Sequence, residues 1–258
     1  MARNDEGRNE VWHTIRHAMG MVYRIGCSGY YYPQWKNKLY PKGVAPKNWL
    51  AYYSSVFNTV ELNGTFYRQP KVADLKKYHT VTGENFSFSV KMSRYITHVQ
   101  RMKDPETITK FQSLILEGLQ DKLRYFLFQL PGTFQYSEEN LEAIVTNVPH
   151  DPRNVIEFRH SSWWNTEVQA AFKQAKLTFC NVDYPKLDVP FMSTSSDFYL
   201  RLHGNPELFK TPYTREQLEH FHSMIPRVKT CAIYFNNTIT EAGFQNALQM
   251  MNIAQQEE

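Results

Sequence analysis

Residues 154–183 read NVIEFRHSSWWNTEVQAAFKQAKLTFCNVD, and they contain two strand-like runs on either side of a helical pattern. The runs at 154–160 and 177–183 are short and rich in β-branched and aromatic residues, as strands are. Residues 163–176 between them have the apolar spacing of an amphipathic helix. A strand, a helix and a second strand in this order predict two parallel strands joined by a helical crossover.

The same unit recurs along the chain. Six more strand-like runs bring the number to eight: YRIGCS (23–28), TVELN (59–63), FSFSVKM (86–92), FLFQLP (126–131), FYLRLHG (198–204) and CAIYFNN (231–237). Helical patterns or helix caps lie at 46–57, 105–123, 137–148, 213–225 and 242–255. We therefore expect an α/β fold, a TIM-type (β/α)8 barrel. The segment 184–197 has two prolines and no helical period, so the barrel should be irregular between strands six and seven.

Length and composition fit one such domain. The chain has 258 residues and 42% hydrophobic residues, and we predict a single domain over 21–258 after an N-terminal tail at 1–20 that lacks apolar periodicity. No stretch approaches the roughly 20 apolar residues of a membrane helix, so no membrane partner and a cytoplasmic location are expected. The three cysteines lie inside strand-like runs and should be buried, reduced thiols.

Alternation along the strands assigns their faces, because neighbouring side chains point to opposite sides of a sheet. One face is apolar in every run and should pack against the helices. The other face is polar, and in TIM barrels chemistry gathers at the carboxyl ends of the strands. The polar side chains assigned to the lumen are Arg24, Ser28, Glu61, Asn63, Lys91, Gln129, Glu157, Arg159, Asn181, Asp183, Arg201, His203 and Asn236.

The lumenal charges support two interpretations. Buried charges must be paired or hold a ligand. The cations are Arg24, Lys91, Arg159 and Arg201, and the anions are Glu61, Glu157 and Asp183. Internal pairing would give a structural ion network, and the remaining positive charge would suit an anionic ligand.

Six motifs resemble those of the DUF72 or YecE-like family and occur in the family's order. They are IGCSGY (25–30), VELNGTFY (60–67), FLFQLPGTF (126–134), IEFRHSSWW (156–164), YLRLHG (199–204) and YFNN (234–237). Gly64 and Gly132 depart from the family's pattern at two loop turns. The resemblance extends over about 22–252; it implies a TIM barrel and a family without an established biochemical activity.

Four side chains are candidates for proton transfer. Glu61 and Glu157 lie on strands two and five, almost opposite each other, as an acid and a base around a substrate would. Asp183 could orient a base or accept from a substrate hydroxyl, and the alternative is an ion pair with Arg201. His203 ends a strand and its side chain ordinarily titrates near neutrality, which suits general acid or base catalysis.

The substrate-binding candidates are cations, amides and aromatics at the strand ends. Arginine and lysine would clamp a carboxylate or phosphate, and the aromatic side chains would either stack on a ring or pack the loops onto the barrel. The set is Arg24, Ser28, Asn63, Tyr67, Lys91, Gln129, Arg159, His160, Trp163, Arg201 and Asn236.

These patterns lead to three hypotheses. The first is an enzyme that acts on a small or nucleotide-like anionic substrate at the mouth of the barrel. Its acid/base chemistry would be hydrolase-like. The second is a nucleic-acid binding or processing protein resembling barrel endonucleases, and the third is a non-enzymatic ligand-binding scaffold. The net charge of +4 is compatible with all of them. We predict no cofactor; the alternative is a divalent metal held by Glu61, Glu157, Asp183 and His203.

Overall fold

The barrel is present as predicted. The computed structural model describes residues 15–16 and 20–256. Its barrel strands are β2 (Val22–Cys27), β3 (Thr59–Leu62), β4 (Ser87–Lys91), β5 (Leu123–Gln129), β6 (Asn154–Glu157), β7 (Thr178–Asp183), β8 (Asp197–Leu202) and β9 (Thr230–Phe235), in the order β2-β9-β8-β7-β6-β5-β4-β3. All neighbouring pairs in this series are parallel. The fold is therefore a TIM-type (β/α)8 barrel.

A short strand, β1 (Ile15–Arg16), lies in the segment predicted to be a tail and pairs antiparallel with the start of β2. The rest of that predicted tail, residues 1–14 and 17–19, lies outside the described residues. Among the described helices, none has both the length and the apolar character needed to cross a membrane.

The helices surround the strands. They are α1 (Trp49–Val56), α2 (Val72–Val81), α3 (Pro105–Leu119), α4 (Glu138–Asn147), α5 (Thr166–Ala175), α6 (Arg215–Ser223) and α7 (Ala242–Gln256). The sequence pattern missed α2, because Leu75 is its single buried residue and Lys71 at its start makes no side-chain cap. Ser137 caps α4, and Thr214 begins α6 with a capping box. Residues 184–196 form no helix, so the irregularity predicted between strands six and seven is confirmed.

Side chains close the barrel between β2 and β3, where a regular backbone ladder is lacking. Asn58 Oδ1 accepts from the backbone N–H of Ile25 at 3.1 Å. The Tyr53 hydroxyl accepts from the Cys27 N–H at 2.7 Å and donates to the Thr59 carbonyl at 3.2 Å. These two side chains satisfy backbone groups that a neighbouring strand would otherwise pair.

The two strands approach so closely at this seam that only glycine fits. A Cβ at position 26 would lie 2.1 Å from the Thr59 carbonyl oxygen. Further along, Ser28 forms an isolated bridge with Glu61, and its hydroxyl donates to the Glu61 carboxylate at 2.6 Å. The seam thus places Glu61 at the edge of the lumen.

The lumen holds a smaller apolar cluster below its polar end. It contains Tyr125, Leu127, Val155, Cys180, Val182, Tyr199, Ala232 and Tyr234. Cys180 and Val182 belong to this cluster, so the predicted inward face of β7 was wrong by one residue. Asn181 points outward and exchanges two hydrogen bonds with the backbone of Met192. A loop covers β7 in place of a helix, and its backbone needs this polar partner.

Burial of all three thiols agrees with the sequence. Cys27, Cys180 and Cys231 are free and buried. Burial raises the pKa of each thiol above its usual value.

Candidate active site at the mouth of the barrel

Arg201 lies at the centre of the polar end of the lumen. Its side chain is 1% exposed. Its Nε and Nη2 donate to the two oxygens of Glu61 at 3.0 and 2.5 Å. Its Nη1 donates to Glu157 at 2.6 Å. One guanidinium on β8 therefore joins the carboxylates of β3 and β6 across the lumen.

The Glu61 carboxylate has no free oxygen. Besides Arg201, the Ser28 hydroxyl donates to one oxygen at 2.6 Å and the Tyr199 hydroxyl donates to the other at 2.7 Å. Four donors thus satisfy the two oxygens of this buried carboxylate. Glu61 thus positions Arg201 and is poorly placed to exchange a proton with a substrate.

Both oxygens of Glu157 also accept hydrogen bonds. Arg159 Nε donates to its Oε1, and Arg201 donates to its Oε2. Burial alone raises the pKa of a carboxyl group, but the charges of Arg159 and Arg201 outweigh it and hold the pKa of Glu157 well below 4.5. Glu157 is therefore an anion at neutral pH.

His203 is fully buried between the two guanidiniums. Its Nε2 lies 3.2 Å from Arg159 Nη2 and 3.4 Å from Arg201 Nη1. The same Nε2 lies 3.5 Å from Glu157 Oε1, so the ring also contacts an anion. Its Nδ1 lies 2.9 Å from Asn236 Nδ2.

This environment keeps His203 neutral. Burial lowers the pKa of His203 well below 6.5, and the positive charges of Arg159 and Arg201 lower it further. The prediction that His203 titrates near neutrality was wrong, because the sequence does not show that two arginines contact its ring.

Lys91 differs from the arginines. It ends β4, and its Nζ lies 4.1 Å from the centre of the Phe66 ring. Within the described residues the ammonium has no hydrogen bond or ion pair. Burial and the charge of Arg201 together lower the pKa of Lys91 to about 8, although the charges of the glutamates partly oppose the shift. The site therefore contains a cation that the protein leaves unpaired.

A cavity of about 760 Å³ opens above these groups. Its polar lining consists of Asn63, Lys91, His98, Gln129, Arg159, Arg201, Asn236 and Thr238, and its aromatic lining of Phe66, Tyr67, Tyr184 and Phe209. The Arg159 guanidinium lies 4.1 Å from the centre of the Tyr184 ring. The Asn63 Oδ1 is buried and lacks a hydrogen-bond partner in the described chain.

The charges around the cavity do not cancel. Three cations, Lys91, Arg159 and Arg201, face two anions, Glu61 and Glu157, while His203 is neutral. The excess is one positive charge, and it belongs to Lys91. Such an excess at a partly enclosed mouth attracts a negatively charged molecule.

Asp183 lies outside this cluster, which corrects its placement beside the other candidates. Its carboxylate accepts from the Tyr213 hydroxyl at 2.5 Å and from Asn205 Nδ2 at 3.2 Å. It does not pair with Arg201, whose donors go to the two glutamates and Ser28. The shifted phase of β7 turns Asp183 toward the loop that follows β8.

Three predicted substrate contacts also lie elsewhere. Arg24 is near the amino end of β2 and donates to the Asn85 carbonyl at 2.7 Å. Trp163 is buried in the outer core, where it stacks on Phe158 with ring centres 3.9 Å apart. His160 accepts from the backbone N–H of Ser162 and stabilises its own turn. Alternation along the strands does not show which end of the barrel a residue lies at. It also does not show whether a residue beyond the strand end faces the cavity or packs in a loop.

The other predicted contacts are brought together at the mouth. Asn63, Tyr67, Gln129 and Asn236 all line the cavity, and Ser28 reaches it through Glu61 and Arg201. Tyr184 and Phe209 were missed. Tyr184 continues the true inward phase of β7 after Val182, whereas Phe209 lies in an irregular loop and gives no signal in the sequence.

The metal hypothesis finds little geometric support. In the described part of the chain, no three His, Cys, Asp or Glu side chains are grouped so that they could hold an ion. The guanidinium of Arg201 lies where a metal would have to bridge Glu61 and Glu157.

Comparison with known proteins agrees with the motifs. The sequence model of the family "Protein of unknown function DUF72" matches residues 24–258. The chain belongs to the DUF72 family. A curated relative, the UPF0759 protein YunF of Bacillus subtilis, is 27% identical over 90% of this chain and 94% of its own length.

Solved structures of DUF72 proteins have the same fold. A DUF72 family protein from Thermotoga maritima is 30% identical, with a TM-score of 0.78 over 90% of this chain and 98% of that one. Another from Enterococcus faecalis is 22% identical, with a TM-score of 0.75 over 90% of this chain and 95% of its own. The family description names no activity, so function has to be argued from the site.

Proposed function

We propose that this DUF72 protein is an enzyme that binds a small or nucleotide-like anionic substrate at the mouth of its barrel. The observation that carries the proposal is the partly buried Lys91 ammonium, which has no hydrogen bond or ion pair among the described residues and lines the cavity. A charge that is partly removed from water and has no partner is unfavourable, and an anion between Lys91 and Arg159 would compensate for it.

Arg159 has an unused donor nitrogen that could bind the same anion. Its Nε is bound to Glu157 and its Nη2 to His203, while its Nη1 makes no hydrogen bond within the described chain. The Tyr184 ring supports the guanidinium from one side. A guanidinium fixed in this way can bind a carboxylate or phosphate without losing much side-chain entropy.

Lys91 is also the best candidate for acid/base chemistry. Both oxygens of Glu61 are occupied by donors, and the arginines hold Glu157 as an anion and His203 as a neutral ring. Lys91 has a pKa of about 8, so both of its forms are populated near neutral pH. We assign the proton transfer in this proposal to Lys91, with the glutamates and His203 as positioning residues.

Thermal unfolding with inorganic phosphate tests the proposal. Phosphate at ten times its Kd should stabilise the native protein by about 1.4 kcal/mol. The Lys91→Met variant should lose most of that shift. Lys173→Met is the matched control, since Lys173 is exposed on the outer helix α5 and its removal takes away the same charge. Equal shifts in all three proteins would contradict the proposal.

Nucleic-acid binding is a second candidate because of a neighbouring groove. This cavity of about 670 Å³ shares Phe66 and Tyr67 with the mouth and is also lined by Arg68, Arg94 and Tyr95. Tyr67 is 83% exposed and Tyr95 is 55% exposed, so both rings can stack on bases. Binding of a single-stranded DNA oligonucleotide should then weaken steeply with salt and weaken in Tyr67→Ala. Absence of binding at low salt would rule this candidate out.

A further inference from the structure

We infer that the Lys91 amine forms an imine with a substrate that carries a carbonyl group next to a carboxylate or phosphate. This inference rests on the proposed function, because it names the class of anion that the mouth would bind. The substrate class is a 2-oxo acid or a carbonyl compound with a phosphate ester.

The surroundings of Lys91 suit a nucleophile. Phe66 contacts it on one side, with its ring centre 4.1 Å from Nζ. The backbone is fixed at this position, since the Thr65 hydroxyl donates to the Lys91 carbonyl at 2.6 Å. The amine makes no hydrogen bond within the described chain, so its lone pair is free once the proton is lost.

Lys91 is also the one cation of the cluster that can lose its proton near neutral pH. Arginine stays protonated, whereas a desolvated lysine beside other cations does not. With a pKa of about 8, roughly a quarter of the Lys91 side chains are neutral at pH 7.5. The guanidiniums would keep the charge that binds the anion.

Anion binding and nucleophilic attack are thus divided between Arg159 and Lys91. Arg201 is bound to both glutamates, so the unengaged Nη1 of Arg159 is the donor left for the carboxylate or phosphate. The carbonyl carbon beside that group would then face the Lys91 nitrogen within the same cavity. An anion without a carbonyl group would lie between both cations.

The reaction balances without a further reactant. The neutral amine adds to the carbonyl carbon, a C–N bond forms, and one nitrogen proton moves to the carbonyl oxygen. The proton that the ammonium released then protonates the new hydroxyl group. The C–O bond breaks, water leaves, and an iminium ion remains on Lys91. The buried Asn63 Oδ1 has no partner in the described chain and offers an acceptor for the hydroxyl group before it leaves.

Reductive trapping tests the inference. The purified protein is incubated with pyruvate, or separately with dihydroxyacetone phosphate, and reduced with sodium borohydride. Peptide mass spectrometry should find the reduced adduct of one of them on Lys91, in preference to the exposed Lys173. Excess inorganic phosphate should suppress it. The adduct should be absent from Lys91→Arg and unchanged in Lys173→Arg.

The Lys91→Arg variant separates this inference from the proposed function. Arginine keeps the positive charge but cannot form an imine, so the variant should still be stabilised by inorganic phosphate. Phosphate stabilisation without an adduct from either compound would overturn the imine and leave anion binding intact. An adduct spread equally over Lys91 and Lys173 would also overturn it. Absence of phosphate stabilisation in the wild-type protein would contradict the proposed function itself.

Discussion

Arg201 Nη1 donates to Glu157 Oε2 at 2.6 Å in the interior of the barrel, where both side chains are at most 1% exposed. The same guanidinium binds Glu61 through its other two nitrogens. This network contains three of the five charges around the cavity, namely Arg201, Glu61 and Glu157. It leaves Lys91 unpaired and Arg159 partly available, so structural pairing and ligand binding belong to different members of one cluster.

Removal of Arg201 should strongly destabilise the protein. Arg201→Met would leave two buried carboxylates without their shared partner, and we expect a loss of about 3–5 kcal/mol in the free energy of unfolding. Urea denaturation measures it. The control is Arg153→Met, because Arg153 is about half-exposed and pairs with Asp151 at the surface, where a loss below about 1 kcal/mol is expected. Similar losses in the two variants would contradict the assignment.

Removal of the Lys91 charge should stabilise the ligand-free protein. Lys91→Met deletes a desolvated ammonium without a partner, so the ligand-free protein should gain stability on the order of 2 kcal/mol at pH 7. Lys173→Met should change it by less than about 0.5 kcal/mol. The measurement is urea denaturation without added anions. A loss of stability in Lys91→Met would show that the wild-type ammonium has a favourable partner.

Acid should destabilise the protein partly through His203. Its pKa in the native state lies well below 6.5, so the unfolded chain binds more protons as the pH falls below 6.5, and stability is lost on acidification. His203→Gln cannot titrate and should flatten the stability curve between pH 6.5 and 5. Glu157 affects stability only below its unfolded value of 4.5. An unchanged slope in the variant would contradict the buried neutral imidazole.

The barrel seam should depend on the Tyr53 hydroxyl. Tyr53→Phe leaves the Cys27 N–H and the Thr59 carbonyl without this partner in a buried position, and we expect a loss of about 1–3 kcal/mol. The neighbouring Tyr52→Phe is the control, because its side chain is partly buried but makes no hydrogen bond within the described chain. Equal stabilities of the two variants in urea would show that the seam is closed by other groups.

Much of the fold follows from alternation in the sequence. The strand-like runs, the parallel order and the missing helix before β8 were all predicted, because burial of one strand face leaves a period of two. The failure at β7 has a physical cause. Asn181 hydrogen-bonds the loop that covers β7, and Asp183 accepts from Tyr213. A single sequence cannot distinguish such polar residues from those that face the lumen.

The site was predicted less completely than the fold. The charges that meet at the mouth could be named from their phase, but their pairing depends on side-chain direction across the lumen. Arg201 reaches both Glu61 and Glu157, which leaves Lys91 free and His203 neutral. The sequence does not show these pairings, because they depend on which strands face each other across the barrel.

Proton uptake on anion binding tests the central claim most directly. Sulfate does not titrate near pH 8, so calorimetric titration in two buffers of different ionisation enthalpy reports protons taken up by the protein. The groups around Lys91 are Arg159, Arg201, Glu61, Glu157 and His98, and the pKa of His98 is lowered by burial and by Lys91. At pH 8 the wild-type protein should take up about half a proton per sulfate, because the anion raises the pKa of Lys91. Lys91→Met should show no uptake. Binding heat that is independent of the buffer in the wild-type protein, or equal uptake in the variant, would contradict an anion site at Lys91.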